Sequence, residues 1–262
     1  MSKVFIEEST LTGIADAIRS KEGTAELIPP LEMPARIEAL DGGGVVLSDW
    51  GNIQLCTLNC FQSSEAVIDL PRGTSLESLC SREQDLTGTY ANTTVEHLTV
   101  NCPNAITTFA RMLRANATVP EGKLKRLTLN VDTSAARTSA YAFYACNMLE
   151  VIDGTPIDLS SMTADSHLSY MFHMCYSLAE VRFKGTIKAG LTLSKAQRIT
   201  KATIDSVVSC LSDDVSGKSI SFNVNRINTL YETAEGAADG SNSAEWQAVV
   251  DRKPNWTFVL GV

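Results

Sequence analysis

At 262 residues and 44% hydrophobic, the chain carries enough apolar side chains for one long core or two small ones. A formal net charge of -8 argues against a nucleic-acid binder, whose affinity rests on many Lys and Arg contacts to phosphate; the 22 basic residues are scattered, with only Lys123, Lys125 and Arg126 close together. No run approaches the roughly 18 apolar residues of a membrane span, and Met1 to Glu8 turns acidic at once instead of opening the apolar stretch of a signal peptide.

Residues 1–41 read as a module of two short helices. Leu11, Ile14, Ala15 and Ile18 fall at i, i+3, i+4 and i+7, which predicts an amphipathic helix from about Thr10 to Lys21, ended by Gly23. Pro29-Pro30 forces an extended connection, and Pro34 opens a second helix that sets Ile37 and Leu40 on one side. Helices this short are marginal alone and must dock on the rest of the chain or on another copy. Gly42-Gly43-Gly44 marks a joint behind them. The wording Ile14-Ala15-Asp16-Ala17-Ile18-Arg19, Lys21, Gly23, then Met33-Pro34-Ala35-Arg36-Ile37, resembles the N-terminal segment of many bacteriophage tail and baseplate proteins. The resemblance covers about 35 residues and implies a segment at the front of a virion appendage that attaches it or brings copies together.

Residues 45–90 read as strands. Val45 to Leu47 and Ile53 to Leu58 are separated by a turn at Asp49-Trp50-Gly51-Asn52, and Ala66 to Leu70 is another apolar run, ended by Pro71. They fit either the first rungs of a repeat array or, the preferred reading, strands that cap its end, since terminal repeats differ from internal ones. Cys56 and Cys60 have a metal-like separation, but no second pair with matching spacing follows.

Val95 to Cys102 and Lys123 to Leu129 alternate apolar and polar residues, which predicts half-buried strands. Then one sentence is written twice: Tyr141-Ala142-Phe143-Tyr144-Ala145-Cys146 with Leu149, and Tyr170-Met171-Phe172-His173-Met174-Cys175 with Leu178. Tyr, Phe, Cys and Leu each recur 29 residues later, whereas Val151 and Val181 are 30 apart, so a one-residue slip is expected there. A fainter copy places Met112-Leu113 59 residues before Met171-Phe172. A unit of this length cannot bury its own apolar face and stacks on its neighbours, so a solenoid is expected. The pattern at 170–181 resembles the BspA-like leucine-rich repeat, and the match extends loosely over about residues 90–190. It implies Phe143, Cys146, Leu149, Phe172, Cys175 and Leu178 stacked inward on an adhesive scaffold that has no chemistry of its own. Stacked Cys146 and Cys175 lie within disulfide reach, but reduced, packed thiols are the expectation.

After Leu193 the wording changes. Thr200 or Thr203 caps a predicted helix to Leu211, carrying Ile204, Val207, Val208 and Leu211 on one face. Ser219 to Val224 alternates as a strand, Ile227, Leu230 and Tyr231 suggest another helix, Gly236 to Ser243 a loop, Ala244 to Val250 a last helix, and Trp256 to Leu260 a closing strand. The order resembles the C-terminal ends of the same phage repeat proteins. The expected organisation is α/β: a helical attachment module over 1–41, an irregular leucine-rich-repeat-like solenoid with N-terminal capping strands over 45–192, and an α/β cap over 193–262.

Catalytic patterns are sparse. Gly42-Gly43-Gly44 lacks the Lys-Ser/Thr and helix that cradle phosphate. His97 sits in a strand pattern, His167 in a polar turn, and His173 at a repeat position beside Phe172, where packing is a simpler role than ligation. Glycan hydrolases use spaced carboxylate pairs; Asp213-Asp214 reads better as a solvated turn. Three Asn-x-Thr triplets, at Asn92, Asn116 and Asn255, read as coincidence without a secretion signal. Trp50, Trp246 and Trp256 are candidates for sugar stacking or for core. No cofactor and no metal are expected. The expected function is a non-enzymatic virion protein of a tail fibre, tip or baseplate, assembled in the host cytoplasm. Its expected partners are other tail proteins, further copies of itself (a trimer by default) and a host surface glycan or protein, without membrane insertion. A tail-borne glycan hydrolase and a bacterial surface adhesin are the alternatives.

Overall fold

The computed structural model describes residues 15–16, 63–70, 74–81, 92–118, 122–232 and 243–261. Ala15 and Asp16 are helical; Leu11, Ile14, Ile18, Ile37, Leu40 and the strands expected over 45–58 lie outside the described residues. Among the described residues eight strands follow: β1 (Glu65–Asp69), β2 (His97–Ala105), β3 (Arg126–Asp132), β4 (Val151–Asp158), β5 (Glu180–Lys184), β6 (Leu191–Leu193), β7 (Lys218–Asn223) and β8 (Trp256–Gly261). Three helices, α1 (Lys201–Cys210), α2 (Val224–Leu230) and α3 (Ala244–Val250), stand among the last three strands.

Every strand pair is parallel and joins neighbours in chain order, β1 to β5 in one sheet and β6 to β8 in a second. The chain therefore winds as an α/β, parallel-sheet solenoid of about five turns. Period-two alternation explains the strands: in β3, Leu127, Leu129 and Val131 are buried while Arg126 and Asn130 are exposed. Register then stacks like on like, with Leu98 opposite Leu127 and Val100 opposite Leu129. Glu65–Asp69, for which the sequence left rung and cap open, pairs in register with β2 as the first described rung.

Opposite the sheet, each turn returns through a tight arc. Its hinge is a non-glycine residue in the left-handed region: Ser78, Arg111, Tyr141 and Tyr170, with φ of 56 to 59°. A second such column is Ala145 and Met174, both at 61°. Left-handed backbone costs an L-residue roughly 1–2 kcal/mol, so something must hold it in place. A hydrogen-bond ladder between arcs does so: the Arg111 N–H donates to the Ala140 carbonyl at 2.9 Å, Tyr141 to Ser169 at 2.9 Å and Ala145 to His173 at 2.9 Å. The same ladder runs from Leu113 to Ala142 (2.7 Å) and from Phe143 to Met171 (3.0 Å), so the faint copy at Met112-Leu113 is a true rung.

Phe143, Cys146, Leu149, Phe172, Cys175 and Leu178 are all buried, at 0 to 1% exposure. Phe143 and Phe172 stack with centroids 5.5 Å apart, and Phe109 joins at 6.4 Å from a position nearer the start of its own arc. The one-residue slip expected between Val151 and Val181 does not occur. Ile152 pairs with Val181 and is the buried residue, whereas Val151 pairs with Glu180 and is half-buried. The strand thus keeps the 29-residue spacing, and the irregularity falls later, where register shifts between Ile152 and Ile157. Gly154 sits there at φ +85°, so close to β3 that a Cβ would lie 2.8 Å from the Leu129 carbonyl oxygen.

The first sheet stops at β5 because α1 covers that edge. Thr200 caps the helix by accepting from the Thr203 N–H, and Thr203 and Ser206 then accept from the β5 N–H groups of Val181 (3.2 Å) and Phe183 (2.9 Å). The core continues without a break into the second sheet, where Phe222, Trp246 and Phe258 pack edge-on or stacked within 6.4 Å.

Candidate binding surfaces

The solenoid offers two repeating surfaces, and they differ in how their polar groups are used. On the sheet face the outward side chains satisfy one another. Asn130 Nδ2 donates to Asn101 Oδ1 (2.8 Å), and Asn101 Nδ2 to Asp69 Oδ1 (2.7 Å). Arg126 pairs with Asp153, which also accepts from Thr128 Oγ1 at 2.6 Å, while His97 meets Glu65 at 2.5 Å. This face is a cross-strand lattice whose members already have partners.

The arc face is different. Left-handed backbone turns the side chains of Tyr141 and Tyr170 outward, where their rings stack at 5.0 Å and 22°. Beside them Tyr144 stacks on His173 at 5.4 Å and 16°, and Tyr170 meets His173 edge-on at 5.4 Å. The Arg114 guanidinium lies 4.2 Å over Tyr141 and closes the stack at the preceding rung. Tyr170 remains 53% exposed, the most of the three exposed large hydrophobic residues among the described residues.

The stack ends at a cleft of about 410 Å³, lined by Asp165, Tyr170, His173, Lys195 and Ser219 among others. Tyr141 stacks on the Tyr170 ring from the preceding rung, and Tyr170 lines the cleft together with residues of its own rung and of the following one. A second cleft of about 340 Å³ shares Lys195 and adds Tyr176, Gln197, Asn225 and Arg226. Burial, and then the charge of Lys195, hold the His173 imidazole below its ordinary pKa, which keeps it neutral at physiological pH. Asp165 is held below the usual carboxylate range by Lys218 (2.8 Å) and by the Gly190 N–H (2.7 Å).

The remaining sequence candidates lie elsewhere. Trp246 and Trp256 are in the core, 3% and 5% exposed, and the Trp256 indole N–H donates to the Ser212 carbonyl at 2.8 Å; neither is free to stack on a sugar. Asp213 is paired with Lys253, and the His167 carbonyl caps the Ser139 N–H. Cys146 and Cys175 form no disulfide, each donating to a backbone carbonyl of an earlier rung, Leu113 (3.3 Å) and Phe143 (3.0 Å); burial pushes the Cys175 thiol far up. Among the described residues no group of three or more His, Cys, Asp or Glu stands where it could hold a metal, and no helix is long and apolar enough to cross a membrane. The sequence reading missed the tyrosine stack. Its signal was the recurrence of Tyr141 and Tyr170 two residues before each inward Phe. No family model matches the chain, and no curated protein and no solved structure is similar to it.

Proposed function

We propose that this chain is a non-enzymatic component of a bacteriophage virion, part of a tail fibre, tip or baseplate, and that its solenoid is a leucine-rich-repeat-like scaffold presenting a surface to the host cell. The observation that carries the adhesive part is the aromatic stack on the arc face, built from Tyr141, Tyr144, Tyr170 and His173 and held outward by a hydrogen-bonded backbone. A rigid aromatic row, half-buried at Tyr141, Tyr144 and His173 and exposed at Tyr170, is a contact surface whose ordering cost is met in folding. The wording of residues 11–38 supports the virion part, with Leu11, Ile14, Ile18, Ile37 and Leu40 as the attachment residues toward tail proteins or further copies, a trimer in the simplest closed form.

The rival is a tail-borne glycan hydrolase. Such an enzyme needs a carboxyl group with a raised pKa to protonate the leaving oxygen. Asp165, the carboxylate in the larger cleft, is shifted the other way by Lys218, which favours binding over cleavage there. The test is mass spectrometry of purified particles from cells producing the full chain or residues 45–262 alone. The full chain is expected at fixed stoichiometry with tail proteins and the shortened one is expected to be missing; particles without the full chain would overturn the proposal.

A further inference from the structure

We propose that the cleft at the end of the aromatic stack, which shares Lys195 with the smaller cleft beside it, is a binding groove for an oligosaccharide that carries a carboxylate. It deepens the adhesive reading and rests on it only for where the glycan is met. The Tyr170 ring is fixed against Tyr141, lines the groove and leaves the residue 53% exposed, so it is a pre-set apolar platform of the kind that takes the C–H face of a pyranose. Tyr176 supplies a second ring in the adjoining cleft, with Lys195 shared between the two. Around them stand short hydroxyl and amide side chains, Ser169, Thr192, Gln197 and Asn225, each able to donate and accept as a sugar hydroxyl does.

Charge decides which saccharide. The chain as a whole has a net charge of -8, yet the groove is walled by Lys195 and Arg226. The one carboxylate lining it among the described residues, Asp165, is already engaged by Lys218 and the Gly190 N–H. Positive groove on a negative protein selects an acidic ligand against a neutral one.

The full chain applied to an array of sialylated, uronate-bearing and neutral oligosaccharides, with acidic peptides alongside, tests this. Acidic oligosaccharides are expected to be retained and the others not. The best of them, titrated against its own methyl ester, is expected to bind at least about tenfold tighter as the free acid. Tyr170→Asn, which keeps a side chain tolerant of left-handed backbone while removing the ring, is expected to weaken both forms at least tenfold. Lys195→Gln is expected to erase the preference for the acid over the ester. Unfolding midpoints of the variants show that they fold. Retention of neutral glycans only, of acidic peptides only, or of nothing overturns the groove assignment, as does unchanged binding by both variants. Acidic-glycan binding by a chain absent from virions would keep the groove and remove the phage reading, and the converse result would do the reverse.

Discussion

Tyr141 and Tyr170 stack face to face, 5.0 Å between centroids, and both hold left-handed backbone at φ of +59 and +56°. The two facts are linked. At these two hinges the rings lie outside the core, half-buried at Tyr141 and exposed at Tyr170, and the 29-residue repeat places them one rung apart, close to the 4.7–4.9 Å spacing of parallel strands. A double-mutant cycle with Tyr141→Asn and Tyr170→Asn should give a coupling of about 0.5–1.5 kcal/mol in denaturant unfolding. Additive effects would mean that the rings merely sit beside each other.

The hinge positions themselves are testable at Ser78, which has φ +57° and a side chain too small to confound the result. Replacement by glycine removes the penalty on left-handed backbone, and Ser78→Gly should raise stability by up to about 1 kcal/mol. Ser78→Val places a β-branched residue there and should lower it by roughly 1–2 kcal/mol. The sign difference between the two, read from urea midpoints, is the diagnostic result; two losses of equal size would contradict a strained hinge.

Thr203 is 3% exposed and its hydroxyl bonds twice to the edge of β5, accepting from the Val181 N–H and donating to the Ala179 carbonyl at 3.0 Å. Thr203→Val keeps the shape and strands the Val181 N–H, while the Ala179 carbonyl keeps the Thr200 N–H at 3.1 Å; the loss should cost about 1–3 kcal/mol. Because those groups belong to a sheet edge, hydrogen exchange at Val181 should accelerate more than at Ile152 one strand inward. Equal acceleration at both would show that α1 supports the core without guarding the edge.

Acid should weaken the fold through His173. Its folded pKa is depressed below 6.5 by burial and by Lys195, so on acidification the unfolded chain takes up the proton first. Stability is therefore fully present above the unfolded value. It declines as pH falls through about 6.5 and levels off once the folded value is passed. His173→Gln should flatten that part of the curve of stability against pH; an unchanged slope would assign it to another group.

Much of this architecture was legible from spacing alone. Leu127 and Leu129 alternate with Arg126, Thr128 and Asn130 as a half-buried strand must, and the Phe-Cys-Leu triplets at 143–149 and 172–178 announce a stacked core. Thr200 with Ile204, Val207 and Val208 marks a capped helix, and α1 follows it within a residue. The arc was not legible, because its left-handed hinges are Ser, Arg and Tyr where such backbone usually announces itself as glycine. Without the hinge, no periodicity tells that Tyr170 faces out while Phe172 faces in. Nor does adjacency in sequence forecast the groove, whose Asp165 and Lys218 meet across 53 residues. The register of β4 hid for a different reason: Val151 and Ile152 are equally apolar neighbours, and only the bend at Gly154 decides which of them pairs with Val181.

The central claim, a virion-borne surface that meets the host through its arc, is tested most directly by adsorption. Particles assembled with the wild-type chain and particles assembled with Tyr170→Asn would be compared for attachment rate to the cells they infect, at matched copy number of the chain per particle. The account predicts normal incorporation and at least about tenfold slower attachment for the variant, the loss of a contact of about 1.4 kcal/mol or more. Equal attachment at equal copy number would contradict it.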